Sequence, residues 1–196
     1  MSQPTEPERG ARAAPGRARR SDARRNEQAL LDAAARVFAD AGIDAPVRLI
    51  AAEAKVGMGT IYRHFPSRAE LVAAVYRHQV DACVDLGERL LQDDSQPFAA
   101  LREWMDAFVD FLATKHGLAS VRAQDESSGS LHDYFLDRLV PICDRLLEAA
   151  RDVGEVTAEV TGYELMRGVG NLCLLGGGDG RYDARKLAHL LLAGIR

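Results

Sequence analysis

Apolar residues recur every three or four positions along most of this chain, and nowhere do they alternate every second residue as a half-buried strand requires. Leu30, Ala34, Val37, Phe38 and Ala41 form the first stripe, on a helix expected over about 22–41 and closed by Gly42 as its C-cap. Val47, Ile50, Ala51 and Ala54 form a second, short stripe. Pro46 suits its first helical position, with Asp44 or Ala45 before it as the cap. Met58, Ile61 and Phe65 form a third. The turn between the second and third is Lys55-Val56-Gly57, in which Val56 plugs the angle and Gly57 can take backbone angles other residues resist. Ser67 and Glu70 then have the spacing of a capping box. They open a long helix reaching to about Leu91, with Leu71, Val75, Tyr76, Val80, Cys83, Val84 and Leu90 inward.

The remainder also reads as helix. Asp94-Ser95-Gln96-Pro97 starts one that carries Phe98, Leu101, Trp104, Met105, Phe108, Phe111 and Leu112 and stops near His116 and Gly117. A short segment over Leu118 to Arg122 and a loop over Gln124 to Gly129 follow. Ser130 and Asp133 have capping-box spacing and begin a helix to about Val153, which Pro141 should kink. Thr161 and Glu164 start another with Tyr163, Met166, Val169, Leu172, Cys173 and Leu175. Asp183 starts the last, with Leu187, Leu190, Leu191 and Ile195. The glycine-rich run 176–180 sits between two helices and lacks a P-loop lysine, so it reads as a connector rather than a phosphate cradle.

The expected fold is therefore all-α, in three parts: a basic arm over 1–21, a three-helix domain with a helix-turn-helix over 22–66, and a helical bundle over 67–196. The arm holds Arg9, Arg12, Arg17, Arg19 and Arg20 without periodicity, and reads as disordered. It suits unspecific attraction to phosphate, although a solubilising tail has the same composition. Charge sharpens the division. Residues 1–70 carry twelve Lys/Arg against nine Asp/Glu, and residues 71–196 carry thirteen against twenty, within a net charge of −4. A basic front and an acidic rear fit a protein that offers one end to nucleic acid.

The helix after the turn supplies the chemistry. At about 100° per residue, Gly59, Thr60, Arg63 and His64 fall opposite the Met58–Ile61–Phe65 face, with Tyr62 at the border. Arginine bonds bidentately to a guanine edge in the major groove. Thr, Tyr and His bond to phosphate oxygens, and glycine permits close approach to the DNA backbone. Arg68, in the first turn of the next helix, opposes the helix dipole unless an anion relieves it. It is either a phosphate clamp or a solvated arginine whose cost the capping box offsets.

The stretch GTIYRHFPSRAEL, preceded by IAAEAKVGM, resembles the TetR family of transcriptional regulators over about Ala29 to Val75. The resemblance implies DNA contacts from Met58, Gly59, Thr60, Tyr62, Arg63, His64 and Arg68. For Met58 it conflicts with the periodicity, which turns that residue inward. Lys55 stands where the family usually has glycine, Gly57 where it has a small hydroxyl, and Ala45-Pro46 where it has a Thr or Ser cap. Lys55 is the candidate to replace the phosphate contact that cap would have made. The resemblance further implies a repressor that binds a palindromic double-stranded DNA operator as a homodimer through the last two helices, where Gly168, Gly170 and Ala193 permit close packing. A small-molecule inducer would be held in the rear bundle by Trp104, Met105, Phe108, Phe111, Phe135 and Met166, which read equally as a filled core. His116, Arg122, Gln124, Asn171 and His132 are polar groups able to orient it.

Other functions find less support. No Ser/His/Asp order, paired carboxylates or metal spacing stands out, so neither an enzyme nor a metal or other cofactor is expected. A nonspecific DNA-packaging protein using the arginine arm is the remaining alternative. No run of eighteen apolar residues marks a membrane span, and the charged N-terminus is unlike a secretory signal. Cys83, Cys143 and Cys173 suit buried thiols in a reducing cytoplasm, the expected location.

Overall fold

A computed structural model describes residues 15–92, 96–115, 127–175 and 182–196. Among them are eight helices and no strand: α1 (Pro15–Ala41), α2 (Val47–Glu53), α3 (Met58–His64), α4 (Arg68–Leu90), α5 (Pro97–Lys115), α6 (Ser127–Asp152), α7 (Gly162–Leu175) and α8 (Ala184–Ala193). The all-α expectation holds. α1 begins at Pro15, so 15–21, read above as part of the arm, are helical, while Arg9 and Arg12 lie outside the described residues.

Two apolar cores divide the molecule. The head core joins Leu30, Leu31, Ala34 and Phe38 of α1 to Ile50, Ala51, Ile61, Phe65, Leu71, Val72 and Val75. The rear core begins one residue later, at Tyr76, and runs through α5, α6, α7 and α8. The first two turns of α4 thus belong to the head, and the rest of the same helix belongs to the bundle. Its start is well defined: Ser67 Oγ accepts from Glu70 N at 3.1 Å while Glu70 Oε2 accepts from Ser67 N at 3.3 Å. Those are the two halves of the capping box.

Helix ends elsewhere follow the same local chemistry. Gly42 closes α1 at φ +78°, donating to the Phe38 carbonyl at 3.0 Å. Thr161 and Glu164 cap α7 reciprocally, and Asp183 caps α8 by accepting from Lys186 N at 2.9 Å. The Ser130 cap fails, because α6 already starts at Ser127. Asp94, Ser95, residues 116–126 and the glycine run 176–180 lie outside the described residues.

In the rear, Trp104 is stacked on Phe108 with ring centroids 5.7 Å apart, and its indole N–H donates to the Cys83 carbonyl of α4 at 2.9 Å. That crossing requires Gly87. A Cβ there would run into Ile142 of α6 and lie 3.1 Å from Trp104 Nε1. Asp81 of α4 accepts from Tyr134 and Arg138 of α6 at 2.6 and 2.9 Å, two turns before Glu88 meets Arg145. Burial pushes the Cys83 thiol up to about 12, helped by the nearby Asp110 charge, and raises Cys143 and Cys173 as well. Among the described residues no helix is long and apolar enough to cross a membrane, and no cluster of His, Cys, Asp and Glu is placed to hold a metal.

Candidate nucleic-acid interface

α2 and α3 are each seven residues long. Helices this short do not persist alone in water, so their orientation is set by what they pack on. Ile50 and Ala51 of α2 and Ile61 of α3 drop into the head core beside Phe65. The turn joining them differs from expectation. Lys55, not Gly57, carries the left-handed backbone, at φ +55°. Lys55 N donates to the Ala52 carbonyl at 3.2 Å and Val56 N to the Ala51 carbonyl at 3.0 Å. With Ala54 as C-cap this is a Schellman motif, in which glycine is the usual left-handed residue. Gly57 is instead the extended N-cap of α3 (φ −73°, ψ 147°), and it brings no side chain to the free amides behind it. Pro46 is likewise the N-cap of α2 rather than its first residue, and Ala45 is buried.

The outward face of α3 is also rotated from the expected one. Met58 is 51% exposed and Tyr62 49%. With Gly59 and Arg63 they make one continuous solvent-facing arc, while Ile61 and Phe65 point inward. Met58 therefore faces out, correcting the periodicity reading. A first-turn residue fits an apolar stripe by spacing yet has no core opposite it. Thr60 is half-buried and His64 exposed at the trailing flank, its ring 6.1 Å from that of Phe65. Lys55 is exposed at the leading end. No internal contact occupies the space beyond Gly59: a Cβ built there meets nothing within 4 Å.

Arg68 is the exception among the candidate contact residues. Its guanidinium lies inside the head, donating to the Ile43 carbonyl and, at 2.9 Å, to the Ala45 carbonyl. It also sits 5.9 Å from the centre of the Phe38 ring.

The chain matches the family model for bacterial regulatory proteins of the tetR family over residues 30–75 and that for the SbtR-like transcriptional regulator C-terminal domain over residues 96–196. It belongs to the TetR family. A TetR transcriptional regulator from Streptomyces coelicolor, SCO0520, is 32% identical with a TM-score of 0.72 over 87% of this chain and 98% of that one. A TetR regulatory protein from Mycobacterium vanbaalenii is 31% identical with a TM-score of 0.65, over 90% and 98%. The TetR-like regulator LfrR from Mycobacterium smegmatis, solved in complex with proflavine, is 26% identical with a TM-score of 0.61, over 89% and 98%. An HTH-type transcriptional regulator of Staphylococcus aureus strain USA300 is 27% identical over 93 residues, 47% of this chain and 50% of the relative. The chain spans about half the length of the curated relatives it matches. As a TetR-family member it is a DNA-binding transcriptional regulator, and its relatives are regulators rather than enzymes by name.

The proposed ligand-binding residues come together in the rear core. Trp104, Met105, Phe108, Phe111, Phe135 and Met166 are all buried, and the rings of Phe108, Phe111 and Phe135 lie within 6.3 Å of one another. Of the polar candidates, His132 is stacked on Phe135 with 5.9 Å between centroids and Asn171 is exposed on α7. His116, Arg122 and Gln124 lie outside the described residues.

The last two helices carry apolar residues on both their inner and outer faces. Ala188 and Leu192 of α8 point inward with Ile195, while Leu190 is 60% exposed and Leu191 is exposed beside it. On α7, Leu165, Met166 and Val169 are buried, and Tyr163 and Leu174 are exposed. Gly168 faces Leu191, where a Cβ would lie 3.4 Å from Leu191 Cδ2, close to an ordinary van der Waals contact.

Proposed function

We propose that this protein is a homodimeric repressor that reads a palindromic operator with α3 and is released by a small apolar inducer. The observation that carries the reading head is the exposed arc of α3, in which an arginine, two large amphipathic or apolar side chains and a glycine face solvent together. Arg63 suits a guanine edge, and Met58 and the ring of Tyr62 suit thymine methyl groups. Lys55, Thr60 and His64 flank the arc and suit phosphates, and Gly59 permits the approach. One seven-residue helix spans few base pairs, so tight specific binding needs two heads about 34–36 Å apart.

The outer faces of α7 and α8 support the pairing. Exposed leucines on adjacent helices have the composition of a helix-on-helix interface. The aromatic rear core supports an inducer that is flat and apolar, and the neighbour solved with proflavine, a flat aromatic molecule, lends weight to the flatness. Such a regulator works where bacterial chromosomes are, in the cytoplasm.

Selection of bound duplexes from random DNA, repeated with planar apolar ligands, tests the reading. The expected result is one two-fold symmetric sequence, lost when the right ligand is added. Arg63→Ala should relax one base position in each half-site and cost roughly 1–3 kcal/mol per contact. Equal weakening on every sequence would instead favour nonspecific packaging.

A further inference from the structure

We infer that Arg68 is a positioning residue that fixes the α1–α2 loop, and through it α2 and α3, rather than a clamp on a DNA phosphate. The inference rests on the reading of α3 as the recognition helix.

Arg68 opens α4, immediately after the Ser67 cap. A cation there opposes the positive end of the helix dipole. The conflict is resolved within the head: two backbone carbonyls, those of Ile43 and Ala45, accept from the same guanidinium. Both residues are buried, and Ala45 N is itself engaged in a turn to the Gly42 carbonyl at 3.0 Å. The Phe38 ring completes the seat. These carbonyls immediately precede α2, whose N-cap Pro46 makes no side-chain cap hydrogen bond. The start of α2 is therefore held from α4 by one guanidinium nitrogen, Nη2, whose two N–H groups serve both acceptors. Because Ile50 and Ile61 share one core, the tilt of α2 sets that of α3.

Lysine distinguishes the two roles. Its charge serves a phosphate well, but its Nζ ends one atom short of Nη2 and brings no planar group to the Phe38 ring. The test compares full-length wild type, R68A and R68K on the duplex selected by wild type and on random-sequence duplex, across a salt series. Both variants should lose about tenfold or more on the selected duplex, as expected for losing charged hydrogen bonds. Random-sequence binding and the salt slope should change little. Wild-type affinity in R68K, with a slope for R68A shallower by about two units for two heads, overturns the inference. Amide exchange without DNA supplies a second readout, and R68K provides it even where R68A does not fold. Exchange across 43–53 should quicken in the variants, whereas unchanged protection there overturns the inference. A wild type that selects no duplex removes the recognition role of α3, and exchange still decides what Arg68 holds.

Discussion

α3 buries one side chain, Ile61, out of seven residues, whereas α5 buries Leu101, Trp104, Met105, Phe108, Phe111 and Leu112. Both helices are amphipathic, yet they use opposite sides. In the head, a minimal inward face is enough to orient a helix whose outward face carries the proposed DNA contacts. In the rear, the inward face carries most of the apolar mass, and what remains outside on α7 and α8 is again leucine. Substitutions should divide accordingly. Inward changes in the rear should cost stability, and outward changes on α3 should cost DNA binding with stability kept.

Trp104→Ala should have the largest effect. The indole is fully buried, stacked on Phe108 and bonded to the Cys83 carbonyl. Large-to-small changes at such sites cost about 3–5 kcal/mol. Chemical denaturation would read that loss, together with a lower midpoint at unchanged DNA specificity in the surviving folded fraction. Altered base preference in that fraction would break the division between head and rear, because α4 joins the two cores.

Gly59→Ala inverts the pattern. The new methyl meets nothing inside the protein, and alanine in place of glycine within a helix stabilises by about 0.5–1 kcal/mol. The melting temperature should rise while affinity for the selected duplex falls. Unchanged affinity would mean that α3 does not come close to DNA at this point.

How much of this was visible beforehand depended on whether a local signal decided the matter. The caps at Gly42, Ser67, Thr161 and Asp183 were legible because each needs only a few neighbouring residues. The assignment of faces was less so. Periodicity placed Met58 inward and grouped Leu190 and Leu191 with Leu187 and Ile195 without separating outer from inner positions, since it registers apolar spacing but not what lies opposite. For α8 the spare leucines face outward, where the proposed partner helix would lie. Arg68 shows the same limit from the polar side: its acceptors are 23 and 25 residues away in sequence. The family motif suggested a contact residue there, and only the folded loop reveals the carbonyls that occupy it.

Lys55 separates backbone conformation from charge at the turn, with the smallest expected change in stability. A side chain at φ +55° costs roughly 1–2 kcal/mol relative to glycine in that region. Replacing lysine by glycine removes the cost but gives the unfolded chain more freedom, returning about 0.4–1 kcal/mol. Lys55→Gly should therefore leave the Schellman turn intact and raise stability by only a few tenths to about 1 kcal/mol, measurable as a slightly higher denaturation midpoint. Its effect on DNA should be electrostatic: weaker binding to every duplex and a salt slope shallower by about one unit per head, the signature of one lost phosphate contact. An unchanged slope would confine Lys55 to the turn. Persistence of lysine at a glycine position then has no compensation in DNA binding, and the phosphate contact would have to come from Thr60 or His64.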